Sequence, residues 1–520
     1  MKKILTKFAV LAFSSATLLT SCNLDLFPEA TQVYDPSQPF YYVAADVEGA
    51  HDAVYAYFRS ISGGSLNYNS DLMFQGFNAV AGFGNRAGSI HRTDDTFTTS
   101  DEYVESAWGA YWSAIKNFNI FIEAAESAEG KDFESRAQYV KAEALIARAH
   151  SYLQLARLFA PAYSEDTKES LCVPLVLKYD QNARPHRATN EQVYEQIAQD
   201  LRDAREIFER PESSAMLTKE APGAMYFTLD VISFLEARVL LDTGDYQAAA
   251  DTAAAIIGRG KYSLSASAEA LTALNTEDKG TEAIMQCYSS LDESSSSYSV
   301  FSGYAKDSNS PSPTGFSYSP DFLPSKVLLD SYDASDLRRQ CWFELSGVSG
   351  DLAPVKNFNN GKYVSNINVF AKYKGNPKYN SGGIASAQVA AKPYLIGELY
   401  LIAAEGYFNE GNSTEANKFL AQLQSKRGAP ITVANDKTIN KEWFRETIGE
   451  GLYMSCLKRW GEGFEGRDGQ VAAVKAELLT DTNDYYLKKV MSADDKALIW
   501  PIPAYELRCN PNLEQNEGWK

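Results

Sequence analysis

The sequence has few of the residues and motifs from which common catalytic centres are built. Its four histidines lie far apart, and its six cysteines are widely spaced without a Cys-x-x-Cys pair, so neither a zinc site nor a disulfide framework is indicated. A P-loop, an HExxH motif and a GxSxG motif are all missing. Residues 461–466 match GxGxxG, but they follow a helical pattern rather than a strand, which favours a helix-ending loop over a nucleotide site.

Long hydrophobic runs and excess positive charge are absent as well. After the N-terminal segment, no stretch reaches the roughly 20 apolar residues that a membrane-spanning helix needs. The chain has 49 lysine and arginine residues against 67 aspartate and glutamate residues, which gives a net charge of −18. Such an acidic chain is a poor partner for nucleic acid or anionic lipid. At 520 residues it is long enough for one large domain or two interlocked ones.

The N-terminus has the pattern of a bacterial lipoprotein signal. Three lysines precede an uncharged apolar segment at 8–19, which is too short to span a bilayer as a helix. The Leu-Thr-Ser-Cys sequence that follows resembles a lipobox, in which Cys22 is acylated and becomes the first residue of the mature chain. We therefore predict a signal peptide at 1–21 and a lipid anchor at Cys22, because several acyl chains hold a protein firmly at a membrane. The alternative is an ordinary signal peptide followed by a chance cysteine.

Much of the remaining chain has the spacing of amphipathic helices. Apolar residues recur at helical intervals over 134–159 and again over 191–208. Thr189 or Asn190 is suited to cap the second of these helices. The two segments predict a pair of helices within 134–210.

One pattern of small residues occurs twice. An alanine is followed after seven residues by a glycine and after five more by a second alanine, with Asp or Asn directly after the glycine. The two sets are Ala237, Gly244 and Ala249, and Ala404, Gly411 and Ala416. Small residues let two helices approach closely and a glycine turn ends the first helix, so each set predicts a tetratricopeptide-like hairpin, near 222–260 and 393–428. Because such hairpins are stable only when stacked, we predict a mainly α superhelix.

The C-terminal residues carry the most specific pattern in the chain. Residues 500–507 (WPIPAYEL), residues 510–516 (NPNLEQN) and the pair Gly518-Trp519 resemble the closing signature of the SusD/RagB family. Several earlier segments are similar to other parts of the same family, so the resemblance extends over nearly all of the chain. These segments lie within 141–152, 173–176, 187–201, 399–405 and 448–461. Residues 22–520 are thus identified as one SusD-like domain that ends with the signature at 500–519.

The resemblance implies both a fold and a function. Members of the family are surface lipoproteins of Bacteroidota with an α-superhelix of tetratricopeptide-like hairpins and a less regular, loop-rich part that binds the ligand. Each member caps a SusC-like TonB-dependent transporter in the outer membrane and delivers glycans to it or, in the RagB branch, peptides. The implied function is capture of an oligosaccharide at the cell surface and its transfer to that transporter, without catalysis and without a cofactor.

Other functions and another location stay open at this point. Peptide uptake is the first alternative, because residues 427–429 and 448–451 are similar to the RagB branch. A glycoside hydrolase would need two carboxyl groups at a set separation, which a sequence this rich in acidic residues does not reveal. A protein–protein scaffold is the third alternative. Many exported lipoproteins of these bacteria have an acidic cluster after the lipidated cysteine, whereas only Asp25 and Glu29 follow Cys22, so a periplasmic location is an alternative to the cell surface.

Two segments, 61–101 and 288–320, are predicted to be the ligand-binding loops, because they are long and rich in glycine, asparagine, serine and aromatic residues. A sugar stacks its apolar face on an aromatic ring while polar side chains bond its hydroxyl groups. The candidate contacts are Phe74, Phe77, Phe83, Asn85, Arg86, Tyr304, Asp307, Asn309, Phe316 and Tyr318. Packing inside the loop is the alternative for any one of these aromatic residues. No catalytic residue and no metal ligand is predicted.

Overall fold

The computed structural model describes residues 39–80, 87–293, 296–357, 360–380, 387–471, 478–479 and 487–520. Helices make up the scaffold in this part of the chain, and short strands join its less regular segments. The helices are α1 Ala44–Ile61, α2 Ser65–Asp71, α3 Gly88–Arg92, α4 Glu102–Ala124, α5 Glu134–Phe159, α6 Asn190–Phe208, α7 Leu229–Thr243, α8 Tyr246–Gly258, α9 Ala268–Thr276, α10 Ser299–Ser302, α11 Lys326–Ser331, α12 Leu337–Cys341, α13 Ile396–Asn409, α14 Ser413–Lys426, α15 Asp436–Thr447, α16 Tyr453–Trp460 and α17 Ala504–Cys509.

The strands are short and pair two by two in antiparallel ladders within the described ranges. They are β1 Phe77–Ala79, β2 Leu171–Pro174, β3 Arg187–Thr189, β4 Ala283–Met285, β5 Ser296–Ser297, β6 Ala305–Lys306, β7 Phe316–Ser317, β8 Phe322–Pro324, β9 Phe343–Leu345, β10 Val355–Lys356, β11 Tyr363–Val364, β12 Asn368–Phe370, β13 Gln388–Val389, β14 Tyr394–Leu395, β15 Phe464–Glu465 and β16 Val490–Met491. The pairs are β1 with β8, β2 with β3, β4 with β14, β5 with β13, β6 with β7, β9 with β12, β10 with β11, and β15 with β16.

The longer helices pack against one another in sequence. From α4 to α8, each helix contacts the next, and α13 then packs between α8 and α14. Helix α1 lies against both α4 and α5. This succession buries the apolar face of every helix against a neighbour, which is how a helical repeat becomes stable. The prediction of a mainly α fold built from helical hairpins is confirmed.

The two glycine turns have the geometry that their sequence pattern predicts. Gly244 between α7 and α8 has φ +82°, and Gly411 between α13 and α14 has φ +75°. The residue after each glycine, Asp245 or Asn412, accepts a hydrogen bond from an amide in the first turn of the next helix. Each turn therefore ends one helix and caps the following one within three residues.

Helices α8 and α13 approach more closely than larger side chains would allow. A Cβ atom on Gly406 would lie 2.6 Å from the carbonyl oxygen of Tyr246 and 2.9 Å from the Cβ atom of Ala250. Glycine at this position thus lets the two hairpins, which are far apart in sequence, join into one scaffold.

Gly244→Ala should lower the free energy of unfolding by about 1 kcal/mol, because alanine resists a positive φ. No atom outside the turn lies within 4 Å of the added Cβ, so the effect is conformational rather than steric. Gly109→Ala is the matched control: Gly109 is exposed inside α4 with the same free space around it, and alanine there should stabilise the protein by about 0.5–1 kcal/mol. Urea denaturation followed by circular dichroism measures both, and equal shifts in the two variants would contradict the turn geometry.

The buried apolar residues divide into a large core within the scaffold and a smaller second core. The members of the second core are Val80, Tyr318, Leu323, Ala353, Val355, Ile367, Val369, Leu478, Leu479 and Leu487. Tyr304, Phe316 and Val364 pack on its edge and are half-buried. The second core therefore supports residues 304–318 of the predicted loop 288–320, whereas Tyr298, Val300 and Phe301 of the same loop lie in the large core.

The structure also shows the surroundings of His150, of the cysteines and of the GxGxxG match. His150 is buried, and its Nδ1 atom lies 3.0 Å from the Tyr394 hydroxyl oxygen. Gly461 ends α16 with φ +62°, so the GxGxxG match begins in a helix-ending loop. Cys172, Cys287 and Cys456 are buried, whereas Cys509 is exposed. Within the described ranges, no helix is both long enough and apolar enough to cross a membrane.

Candidate functional site

Three of the predicted aromatic residues converge on the hairpin formed by β6 and β7. The ring centroids of Tyr304 and Phe316 are 4.9 Å apart, and the two ring planes differ by 8°, so the rings are stacked. The centroid of Tyr318 lies 5.0 Å from that of Tyr304 at an angle of 44°. Tyr318 is buried in the second core, while the other two rings are half-buried at its edge.

Lys374 also packs against the Tyr304 ring. Its Nζ atom lies 4.0 Å from the centroid of the Tyr304 ring, and it also donates hydrogen bonds to Glu344 Oε2 at 2.8 Å and to the Tyr318 hydroxyl at 3.2 Å. The Tyr318 hydroxyl donates to the same carboxylate, and burial raises the pKa of Tyr318 well above its ordinary value. An ammonium group 4.0 Å from one ring face and a stacked ring on the other leave Tyr304 without a free face.

Phe316 is consequently the outer member of what we call the aromatic stack, which consists of Lys374, Tyr304 and Phe316. Within the described part of the chain, no ring other than Tyr304 and no cation lies over Phe316. A half-exposed aromatic ring held from behind by another ring is a rigid platform for the apolar face of a ligand.

Asp307 organises the loop next to the aromatic stack. Its Oδ2 atom accepts hydrogen bonds from the Tyr363 hydroxyl at 2.8 Å, from the Ser317 hydroxyl at 2.9 Å and from Lys356 Nζ at 3.1 Å. Its Oδ1 atom accepts the amide of Asn309 at 3.0 Å. Although partial burial favours the neutral form, these hydrogen bonds lower the pKa of Asp307 to about 2.

Asp307 has a structural role in this loop, and its predicted contact with a ligand stays a prediction. Both carboxylate oxygens accept hydrogen bonds from the protein, and those to Oδ2 hold Tyr363 and Lys356 in place. Asn309 is exposed beside it and is available for hydrogen bonding to a ligand. The polar groups beside the aromatic stack thus include the amide of Asn309, the hydroxyl group of Tyr363 and the ammonium group of Lys356.

Two candidates from the first predicted loop lie inside the protein. Phe74 is 1% exposed and packs against Tyr453, and Phe77 is 0% exposed and packs against Phe301 and Phe370. A ring that is buried on all sides offers no face to a ligand, so the prediction of ligand contact for Phe74 and Phe77 is corrected to a role in packing. Segment 61–101 is also less loop-like than predicted, since it contains α2, β1 and α3. Phe83, Asn85 and Arg86 lie outside the described residues.

The residues that sequence reasoning missed come from the segment between β9 and β12 and from just beyond it. Glu344 in β9, Lys356, Tyr363 and Lys374 all contact the predicted site residues. Residues 354–381 are rich in asparagine and aromatic residues, which is part of the signal that marked the two predicted loops. Among the described residues, no cluster of three or more His, Cys, Asp or Glu side chains is arranged to hold a metal ion.

A scaffold of helical hairpins with a separate aromatic, loop-bearing core places the protein in the class of helical-repeat proteins. Comparison with known families narrows this class. Residues 34–230 match a family model described as starch-binding and associating with the outer membrane, and residues 343–519 match the SusD family model. The chain belongs to the SusD/RagB family.

Individual relatives agree with this assignment. SusD-like protein P2 of Formosa agariphila is 25% identical over 452 residues, which is 82% of each chain. The crystal structure of a SusD superfamily protein from Bacteroides thetaiotaomicron is similar with a TM-score of 0.70 and 24% identity, over 90% of this chain and 99% of that one. Surface glycan-binding protein A from Bacteroides fluxus is similar with a TM-score of 0.66 and 18% identity, over 92% of this chain and 99% of that one. The two structural similarities establish the fold.

Proposed function

We propose that this protein is a glycan-binding lipoprotein of the outer membrane, exposed at the cell surface, which captures oligosaccharide and passes it to a SusC-like TonB-dependent transporter. The family assignment supports the general role, as do the description of the model matched by residues 34–230 and the name of the relative from Bacteroides fluxus. The lipobox at Cys22 supports the anchor, although Cys22 lies outside the described residues. The protein acts by binding and not by catalysis.

The aromatic stack is the observation that carries this proposal. Phe316 is partly exposed to solvent, its ring is stacked on Tyr304, and Lys374 lies over the Tyr304 ring. The apolar face of a sugar ring can lie on Phe316 while Asn309 and Tyr363 bond its hydroxyl groups. Because a shallow platform buries little ligand area, we expect dissociation constants between about 1 µM and 1 mM, or about −8 to −4 kcal/mol.

Replacing the ring of Phe316 should weaken oligosaccharide binding. Stacking contributes about 1 kcal/mol beyond area burial, so Phe316→Leu, which keeps an apolar side chain, should raise the dissociation constant about fivefold. Phe316→Ala should raise it further. Isothermal titration calorimetry against a panel of plant and host glycans measures both, and the helical circular dichroism should be unchanged.

Tyr505→Leu is the matched control, because Tyr505 is an aromatic residue that is 59% exposed on α17, away from the second core. It should leave the dissociation constant unchanged. Mixed peptides form the second arm of the panel. Heat of binding with peptides alone would contradict the glycan proposal and favour the RagB-like function, and release of reducing ends from a glycan would contradict the non-catalytic role.

A further inference from the structure

A groove of about 650 Å³ lies on the helical scaffold, where the first residue of α8, the end of α13, the start of α15 and the end of α16 converge. We call it the scaffold groove. Its volume falls within the range of about 300–1,000 Å³ that is typical of small-ligand sites. None of its lining residues belongs to the second core or to the aromatic stack, so it is a separate surface of the protein.

Three aromatic rings line the scaffold groove. Tyr246 begins α8, Phe408 lies at the end of α13, and Trp460 is the last residue of α16. Each of the three is half-buried, so each ring is fixed on one side by the scaffold and reaches the groove on another. Rings presented in this way bind the apolar faces of ligands, as Phe316 does in the proposed site.

The floor of the groove is rigid. Glu405 is buried and accepts hydrogen bonds from Trp460 Nε1 at 2.9 Å and from Arg459 Nε at 2.8 Å and Nη2 at 2.9 Å. The Arg459 guanidinium also lies 5.8 Å from the centroid of the Trp460 ring. The indole is therefore held by its nitrogen and by a cation, so that its orientation is set before any ligand binds.

The rim of the groove is polar and nearly balanced in charge. Asn409 donates to the Glu405 carbonyl oxygen at 2.9 Å, and Asn440 donates to Glu462 Oε2 at 2.9 Å. Each amide thus uses one of its hydrogen-bonding groups and has others that can reach a ligand. The buried guanidinium of Arg459 is paired with Glu405, so the groove does not concentrate positive charge for a phosphate.

Aromatic faces together with amides and a carboxylate at the rim are the side-chain combination that recognises a polyhydroxyl ring. Most of the residues that line the groove belong to helices and none of them to a strand, so an extended peptide finds no strand edge among them to pair with. We propose that the scaffold groove is a second oligosaccharide-binding site, which holds a distant part of the same glycan chain that the aromatic stack binds. This inference rests on the proposed function, because it takes the ligand class from it.

Two sites on one protein should matter most for long glycans. A polymer that reaches both sites binds the second one at a high effective concentration, whereas a hexasaccharide binds each site separately. Phe408→Leu should therefore weaken retention on a polymer gel about tenfold or more, with little effect on hexasaccharide affinity at the aromatic stack. Asn440→Ala, a change at the rim, should act in the same direction without affecting the fold.

The experiment compares binding of soluble starch and of laminarin in affinity electrophoresis with calorimetry of their hexasaccharides. Gln247→Ala is the control, since Gln247 is exposed on α8 next to Tyr246 but does not line the groove. In a Phe316→Leu background, which leaves the aromatic stack only about fivefold weaker, adding Phe408→Leu should weaken hexasaccharide binding further than Phe316→Leu does alone. That result would support a second site.

The remaining outcomes separate the two proposals. If the Phe408 and Asn440 variants bind polymer like the wild-type protein, while Phe316→Leu weakens binding, the scaffold groove is not a glycan site and the proposed function stands. If the wild-type protein binds none of the glycans, the proposed function fails and the groove proposal fails with it. If Phe408→Leu abolishes binding and Phe316→Leu has no effect, the groove is the glycan site and the aromatic stack is not.

Discussion

Arg427→Met is expected to lower the free energy of unfolding by about 3–5 kcal/mol, which is the usual effect of breaking a buried ion pair. Arg427 is 1% exposed and binds two carboxylates at once. Its guanidinium donates to both oxygens of Glu282, at 2.8 and 2.7 Å, and to both oxygens of Glu446. Methionine would leave Glu282 buried without its cation.

The location of Arg427 explains why this effect should be large. It follows α14 directly and links that helix to Glu282, just before β4, and to Glu446 in α15. Its hydrogen bonds therefore join the helical hairpins to the strand-bearing part of the protein. The opposing charges, Arg427 first among them, lower the pKa of Glu446 to about 2 against its burial. The contribution of Glu446 to the free energy of unfolding is accordingly present above pH 4, and it is lost as the pH falls towards 2.

A double variant separates the effect of the ion pair on stability from the effect of side-chain volume. Arg427→Met with Glu282→Met removes both charges and keeps apolar bulk, so it should be more stable than Arg427→Met alone. Urea denaturation monitored by circular dichroism at neutral pH gives the three free energies. A loss of less than about 1 kcal/mol in Arg427→Met would contradict the role of this pair.

Asp71→Asn should stabilise the protein increasingly as the pH rises. Asp71 is buried at the end of α2, and its Oδ2 atom accepts the amides of Gly449 at 2.7 Å and Gly451 at 3.0 Å. Burial raises the pKa of this carboxyl group to about 7, even though the two amides favour the charged form. Lys372 and Glu450 face the same carboxyl group, and burial raises the pKa of Glu450 as well.

The direction of this pH dependence is opposite to that of an ordinary paired carboxylate. A carboxyl group with a raised pKa holds its proton more tightly in the folded protein than in the unfolded chain, so stability falls as the pH rises from about 4 to 7. Asparagine keeps an acceptor for the two amides and has no proton to lose. The difference in unfolding free energy between Asp71→Asn and wild type should thus increase by about 3 kcal/mol from pH 5 to pH 8.

Urea denaturation at pH 5, 6, 7 and 8 tests this expectation, with the wild-type protein measured beside the variant at each pH. Taking the difference removes the contributions of the titrating groups that do not interact with Asp71. A difference that stays constant over this range would show that Asp71 is ionised throughout and would contradict the raised pKa.

Local patterns in the sequence were sufficient to predict the helical scaffold. A turn such as Gly244-Asp245 depends on neighbouring residues, because the glycine conformation and the cap of the next helix are both set within a few positions. Thr189 illustrates the same point, since its side chain caps α6 by accepting the amide of Gln192, as predicted. Helical spacing and capping are short-range properties, so they can be recognised without knowledge of the tertiary structure.

The candidate site was only partly predictable because its contacts join distant parts of the chain. Phe77 and Phe316 both lie in aromatic-rich segments, yet one is buried against Phe301 and the other is at the surface. Which of these rings is exposed depends on strand pairing across more than 200 residues, such as that between β1 and β8. Lys374 was missed for the same reason, since nothing in its immediate sequence indicates that it lies over Tyr304.

The central claim is that a glycan binds on the outer face of Phe316, and a crystal structure of the complex tests it most directly. The ligand should be the hexasaccharide that gives the strongest calorimetric binding, at a concentration well above its dissociation constant. We predict a sugar ring lying parallel to the Phe316 ring at about 3.5–4 Å, the distance of favourable carbon–carbon contact, with its hydroxyl groups near Asn309 and Tyr363. A sugar bound only at a place remote from Phe316, with this ring left open to solvent, would contradict the account.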